Sequence, residues 1–99
     1  MYARVATFQT ESDPEDVRQG FEEIKRRSAS GMRERLSAVG HLDLYKPDEG
    51  KVLAITLFET EEDLRSGDET LSAMDPPRPG SASRRVSVEF YEVPVKIDA

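Results

Sequence analysis

The sequence has no cysteine, no tryptophan and no asparagine, and it contains a single histidine, His41. Without cysteine there is no disulfide, no thiolate nucleophile and no Cys-ligated metal site. One imidazole falls short of a histidine-based metal centre, and the acidic residues stand mostly at predicted helix starts and turns, so we expect no metal. The missing residue types therefore exclude several large classes of enzyme.

Motifs of common catalytic folds are missing as well. No Gly-x-Ser-x-Gly segment presents a serine that would use His41 as its base, which argues against a hydrolase. No glycine-rich turn joins a strand to a helix to cradle phosphate groups, which argues against nucleotide cofactors. We expect the protein to work without a cofactor.

Long apolar runs and an excess of positive charge are also missing. No stretch approaches the roughly 18 apolar residues of a membrane-spanning helix, and the sequence opens with a strand-like run rather than a leader peptide. The formal net charge is −6 at pH 7, which repels the phosphate groups of nucleic acids. We therefore expect a cytoplasmic protein that binds neither membranes nor nucleic acid.

What the sequence does contain is the pattern of a small α+β domain. Apolar alternation and β-branched residues predict strands over 2–8, 39–45, 51–58 and 86–91, and a turn at 47–50 makes the middle pair a hairpin. Asp13 and Pro14 begin a first helix, and Thr60 caps a second. The order βαββαβ predicts a ferredoxin-like fold, a four-stranded antiparallel sheet with two helices on one face, in a single domain spanning 1–99.

Two segments set the limits of the helices. The first helix weakens at Ser28–Gly31, although Met32 and Leu36 continue its apolar stripe, so it either runs on or ends and restarts. After the second helix, three prolines in 75–81 predict an exposed loop before the last strand.

Alternation assigns the strand side chains to two faces. The more apolar face is expected to meet the helices and consists of Ala3, Val5, Thr7, Leu42, Leu44, Leu53, Ile55, Leu57, Val86, Val88 and Phe90. The other face mixes aromatic and ionisable groups: Tyr2, Arg4, Ala6, Phe8, His41, Asp43, Tyr45, Val52, Ala54, Thr56, Phe58, Ser87, Glu89 and Tyr91. Because this face is too apolar for bulk water, we expect a second copy to cover it, giving a homodimer through the sheet face.

Three segments carry a resemblance to a known superfamily: MYARV at 1–5, GKVLAITLFETEE at 50–62 and VEFYEV at 88–93. They resemble dimeric α/β-barrel proteins of the antibiotic-biosynthesis-monooxygenase type. The resemblance implies a ferredoxin-like protomer, a homodimer, and a cavity within the barrel or between each sheet and its helices. Members include cofactor-independent quinone-forming monooxygenases and haem degraders, but the haem-degrading branch would require an asparagine, a tryptophan and a helical histidine, which this chain lacks.

Candidate site residues lie on the mixed face. His41 and Asp43 are two apart on a strand and point the same way, so Asp43 can orient the imidazole; the alternative is a hydrogen-bonded histidine at a sheet edge. An inward Arg4 needs a carboxylate, either Glu89 or Asp43, or an anionic ligand. His41 and Arg4 are the candidate catalytic residues, and the candidate pocket lining is Asp43, Thr56, Phe58, Glu89 and Tyr91.

Two hypotheses about function stay open. The first is a cofactor-independent monooxygenase that acts on a small aromatic or quinol-type substrate in a pocket of the dimeric barrel, which requires a dry site with a base beside the substrate. The second is a non-catalytic dimer that acts as a ligand-binding or stress-associated module, because the sequence offers no complete set of acid, base and nucleophile. The aromatic residues of the mixed face fit stacking on a planar ligand or packing in an interface.

Overall fold

The computed structural model describes residues 1–28, 36–73 and 83–99. Within these ranges the chain forms four strands and two helices, in the order β1 (Tyr2–Thr10), α1 (Pro14–Ser28), β2 (Ala38–Lys46), β3 (Lys51–Phe58), α2 (Glu61–Ala73) and β4 (Ser83–Glu92). Neighbouring strands are antiparallel and lie in the order β2-β3-β1-β4. The predicted βαββαβ arrangement is confirmed. The predicted continuation of α1 through 29–35 and the predicted loop at 75–81 lie outside the described residues.

Both helices begin where the sequence predicts. The Val17 N–H donates a 3.0 Å hydrogen bond to the Asp13 carbonyl oxygen and closes the first turn of α1. At α2, the Thr60 hydroxyl oxygen accepts a 3.1 Å bond from the Asp63 N–H, which satisfies one of the donors that a helix start leaves unpaired. Neither described helix is long and apolar enough to cross a membrane.

Gly50 closes the hairpin between β2 and β3 and joins it to the end of β1. Its φ of 61° lies in the left-handed region, which glycine adopts without strain. Its carbonyl oxygen accepts a 2.8 Å hydrogen bond from the Thr10 N–H. A side chain at residue 50 would press into the Thr10 carbonyl oxygen, so glycine is required here for both conformation and space.

The helix-covered side of the sheet carries two apolar clusters. The first, under α2, consists of Leu36, Ala38, Phe58 and Leu64, with Tyr2 and Leu71 packed against it. The second consists of Ala6, Phe8 and Val52, with Phe21, Tyr45, Ala54 and Val88 packed against it. Helix α1 contributes Phe21 to this second cluster, where its ring meets that of Tyr45 edge-on with centroids 5.8 Å apart.

The predicted assignment of faces is wrong for three of the four strands. In β1, β2 and β3 the mixed set lies under the helices: Tyr2, Arg4, Ala6, Phe8, His41, Asp43, Tyr45, Val52, Ala54, Thr56 and Phe58. The aliphatic set lies on the uncovered side, which we call the open face: Ala3, Val5, Thr7, Leu42, Leu44, Leu53, Ile55 and Leu57.

Strand β4 follows the prediction from Ser87 to Tyr91. Val88 pairs with Ala6 and Phe90 pairs with Arg4, which puts both on the helix side. Glu89 and Tyr91 pair with Val5 and Ala3, so they join the open face together with Ser87. Val86 has no partner in β1, because the register shifts between Thr7 and Phe8.

The error has a physical reason. The more apolar face was expected under the helices, but a mixed face can be buried when the covering helix supplies polar partners, as Asp68 of α2 does for Arg4. The open face has few groups that need such partners. Leu42 and Leu44 remain 44% and 45% exposed there, an apolar surface that only another apolar surface can cover.

Candidate functional site

Polar side chains form one row across the helix-covered side of the sheet. His41 on β2 is the cross-strand partner of Thr56 on β3, and Thr56 is the partner of Arg4 on β1. We call these three residues the polar row. It lies between the two apolar clusters, so it occupies the part of the sheet between the positions where α1 and α2 pack.

Both ring nitrogens of His41 are engaged. Nδ1 lies 2.9 Å from the Thr56 hydroxyl oxygen, and Nε2 lies 3.0 Å from Oδ1 of Asp43. An ionised carboxylate only accepts hydrogen bonds, so Nε2 carries the proton, and in the neutral ring Nδ1 accepts from the Thr56 hydroxyl. The chain Thr56–His41–Asp43 therefore ends on a carboxylate whose orientation the imidazole fixes.

This chain of hydrogen bonds runs from the interior toward solvent. Thr56 is 1% exposed, whereas the side chains of His41 and Asp43 are 18% and 22% exposed. The second carboxylate oxygen of Asp43, Oδ2, has no hydrogen-bond partner within the described residues. Because an ionised carboxylate oxygen accepts hydrogen bonds, Oδ2 is available to a ligand that reaches this end of the hydrogen-bond chain.

Arg4 finds its partner on α2, whereas the sequence predicted a partner on the neighbouring strands. The guanidinium is 2% exposed, and its Nε donates a 2.8 Å bond to Oδ1 of Asp68 on α2. Nη2 of Arg4 and Nη1 of Arg85 both donate to the Ser72 hydroxyl, at 3.4 and 3.1 Å. The carboxylate that pairs with Arg4 is thus neither Glu89 nor Asp43. Asp68 and Ser72, which bind the buried guanidinium, were not predicted from the sequence.

A sequence signal for Asp68 does exist. Asp68 lies four residues after Leu64 and three before Leu71, the two α2 residues that pack on the first cluster, so it falls on the buried side of the helix. A carboxylate on that side needs a cation on the facing strand, and Arg4 is the cation there.

The remaining predicted site residues do not join the polar row. Glu89 and Tyr91 lie on the open face, where the Tyr91 hydroxyl donates a 3.0 Å bond to Oε2 of Glu89. This bond and the carboxylate charge raise the pKa of Tyr91 above its ordinary value, because both favour the protonated phenol. Phe58 is wholly buried in the first cluster and packs against Gly67 of α2. The seven predicted residues are therefore divided between two faces and the core.

Two further features bear on the chemistry. An open groove of about 530 Å³ follows α1 between Arg18 and Arg26, and none of the predicted site residues lines it. Within the described ranges, no group of three or more histidine, aspartate or glutamate side chains is placed to hold a metal ion. The predicted site residues that do come together are those of the polar row and Asp43.

Comparison with known proteins shows similar folds among solved structures but no match to a family model or to a curated protein. A dimeric ferredoxin-like protein from an uncultured marine organism has a TM-score of 0.68 at 7% identity, covering 99% of this chain and 98% of that one.

Two further solved structures have named activities. A protein from Deinococcus radiodurans assigned to the antibiotic biosynthesis monooxygenases has a TM-score of 0.60 at 10% identity, covering 100% of this chain and 98% of that one. MhuD, a haem degrader from Mycobacterium tuberculosis solved with two haems in its active site, has a TM-score of 0.68 at 14% identity, covering 99% and 100%. At such identities the likeness shows the fold alone, and the predicted ferredoxin-like architecture of the protomer is confirmed.

Proposed function

We propose that the chain works as a homodimer joined through its open faces, and that the helix side of each protomer oxidises a small aromatic, quinol-type substrate with molecular oxygen and without a cofactor. The observation that carries the chemical part is the His41–Asp43 pair, in which a carboxylate is oriented by an imidazole and keeps one oxygen for a ligand. The observation that carries the dimer is the aliphatic open face.

The exposed apolar surface of the open face supports the proposed dimer. Leu42 and Leu44 are nearly half exposed and lie beside Leu53 and Ile55 on the same side of the sheet. Contiguous apolar surface of this kind marks an interaction site, and two twisted sheets pack well face to face. The similar ferredoxin-like protein from a marine organism is itself dimeric.

The dimer is tested by a charge at the open face. Leu44→Glu leaves the protomer intact, because residue 44 is exposed there, but a carboxylate buried between two sheets costs several kcal/mol. We expect the variant to sediment as a folded monomer and the wild-type chain as a dimer. Gln19→Glu, which adds the same charge on the exposed side of α1, should remain dimeric. A dimeric Leu44→Glu protein would show that the open face is not the interface.

The proposed reaction begins with proton transfer. Asp43 accepts the hydroxyl proton of the substrate through its Oδ2, and the hydrogen bond from His41 holds the carboxylate in place. The resulting aromatic anion reduces oxygen directly. In the overall reaction of an anthrone, whose enol form carries that hydroxyl, a ring methylene becomes a carbonyl, one oxygen atom of O₂ enters that carbonyl and the other leaves as water. A hydroquinone is converted with the same balance to a hydroxyquinone and water, so neither substrate consumes an external reductant.

The test measures oxygen uptake with a panel of anthrones and hydroquinones. Asp43→Asn keeps the shape of the side chain and an oxygen that accepts from His41 but removes the base, so we expect kcat/KM to fall by roughly 100-fold or more. Asp48→Asn makes the same chemical change in the exposed hairpin turn and should leave kcat/KM unchanged. Equal rates in both variants would remove Asp43 from the mechanism.

Haem does not fit the residues present. His41 is the one imidazole of the chain, it lies on a strand, and both of its nitrogens already have partners. Ligation of an iron would break one of these hydrogen bonds and leave the buried Thr56 hydroxyl or the Asp43 carboxylate without its partner. The proposed mechanism contains no step through haem.

A specific observation favours the second candidate function, a non-catalytic ligand-binding or stress-associated dimer. Among the described residues, no buried side-chain nitrogen or oxygen lacks a hydrogen-bond partner. A network satisfied in this way stabilises a fold without reacting. The two functions separate cleanly in one experiment: an aromatic ligand that shifts the His41 ring resonances without any oxygen uptake supports binding alone.

A further inference from the structure

The chain continues past the sheet after β4. The Val93 N–H donates a 2.9 Å hydrogen bond to the Met1 carbonyl oxygen, which is the last link between β4 and β1. Strand β1 begins at Tyr2, so within the described part of the chain no strand lies beside residues 94–99. These residues leave the sheet in irregular conformation, and among the described residues no backbone group pairs with theirs.

This segment has the pattern of a strand with one apolar side. Val95 and Ile97 are 70% and 82% exposed. Lys96 and Asp98 alternate with them and form an ion pair at 2.7 Å. Two large aliphatic side chains at a spacing of two, each mostly in water, gain free energy when an apolar surface covers them.

The direction of these side chains follows from β4. Tyr91 pairs with Ala3 and lies on the open face. In an extended chain residues two apart point the same way, so Val93, Val95 and Ile97 would continue the side of Tyr91 once this segment is drawn out as a strand. Pro94, which lacks an N–H, is tolerated in a strand at an edge. In that extended form the apolar side of the tail would lengthen the open face.

We propose that residues 93–99 form an arm that lies extended across the second copy of the chain, with Val95 and Ile97 packed into the dimer interface. The inference rests on the homodimer proposed above and names a further part of its contact surface. Seven extended residues span about 23 Å at about 3.3 Å each, which exceeds the roughly 19 Å width of four strands spaced about 4.8 Å apart. The arm is long enough to cross the partner sheet.

The experiment compares dimer dissociation constants by sedimentation of the full chain and two double variants. Val95→Ser/Ile97→Ser removes the apolar side of the arm, and we expect the dissociation constant to rise roughly 100-fold or more, because each dimer loses four buried aliphatic side chains. Lys96→Ser/Asp98→Ser changes the other side of the same segment and should stay within about threefold of the wild type. Dimers mixed from 13C-labelled and unlabelled chains should also give NOEs from the Ile97 methyl groups to the other copy.

The outcomes separate the arm from the dimer. If the full chain sediments as a monomer, the proposed dimer and the proposed arm are both wrong. If the full chain is a dimer but both double variants match it and no intermolecular NOE from Ile97 appears, the arm is overturned while the dimer stands. If all three proteins stay dimeric at the lowest measurable concentration, the intermolecular NOE from Ile97 decides whether the arm is in the interface.

Discussion

Replacing Gly67 with alanine tests how closely α2 lies against the sheet. A Cβ at residue 67 would lie well inside 3.0 Å of Cε1 and Cζ of Phe58. The Phe58 ring is wholly buried among Leu36, Ala38 and Leu64, so a displaced ring would press on these neighbours. Restoring an ordinary carbon–carbon contact of about 3.5 Å requires the ring or the helix to move by about 1 Å.

Two contributions of opposite sign decide the result. Alanine is about 1 kcal/mol more favourable than glycine in a helix interior. Overpacking a core costs about 1–3 kcal/mol, and a displacement of about 1 Å belongs at the upper end of that range. We therefore expect Gly67→Ala to lower the free energy of unfolding by about 2 kcal/mol, which for a chain of this size lowers Tm by about 8–16 °C.

The assay is thermal and urea unfolding followed by circular dichroism, at one protein concentration because association shifts Tm by mass action. Ser66→Ala, at the exposed neighbouring position, should be unchanged or slightly more stable. In the double variant with Phe58→Leu, a coupling free energy above about 1 kcal/mol would assign the loss to this contact. A Gly67→Ala protein about 1 kcal/mol more stable than the wild type would refute the close packing of α2.

Two predictions concern titrating groups, and both are read by spectroscopy. Because His41 is the only histidine, its ring 15N resonances can be assigned without ambiguity. At a pH where the ring is neutral, the wild type and Thr56→Val should show the Nε2–H tautomer, and Asp43→Ala should show a mixture of both tautomers. The Nδ1–H tautomer in the wild type would contradict the hydrogen bond from Nε2 to Asp43. In an ultraviolet titration of the tyrosines, Glu89→Gln should move the ionisation step of Tyr91 to lower pH, because the variant removes the carboxylate that raises the pKa of Tyr91. Because the folded-state pKa is the higher one, the stabilisation from this bond is present below about pH 10 and is lost as pH rises through the folded-state value; an unmoved step in Glu89→Gln would exclude the bond.

The fold could be predicted because its signals are local. Asp13 before Pro14 and Thr60 before an acidic first turn mark the helix starts, and the Pro47–Gly50 turn joins two apolar runs. Such signals act over a few residues, so the sequence order alone shows them. Once the order βαββαβ is known, few topologies remain.

The faces and the partners could not be predicted in the same way. Alternation shows that Arg4 and Leu42 lie on opposite sides of the sheet, but it does not say which side the helices cover. That choice depends on Asp68, which is 64 residues from Arg4 in sequence and meets it only after α2 has packed. The contact between His41 and Asp43 could be predicted because both lie on one strand, two residues apart. The pairing of His41 with Thr56 depends on the hairpin register, which the sequence order does not show.

That hairpin register has a consequence for folding fidelity. Because side chains alternate strictly, a slip of β2 by one residue against β3 would carry His41 and Asp43 to the aliphatic side and place Leu42 and Leu44 against Thr56 and the helices. The histidine and the carboxylate would then lose the threonine partner and lie in an apolar interface, where an unpaired charge is most costly. The residues proposed to handle a substrate proton thus also distinguish the native strand alignment from its nearest competitor while the chain folds.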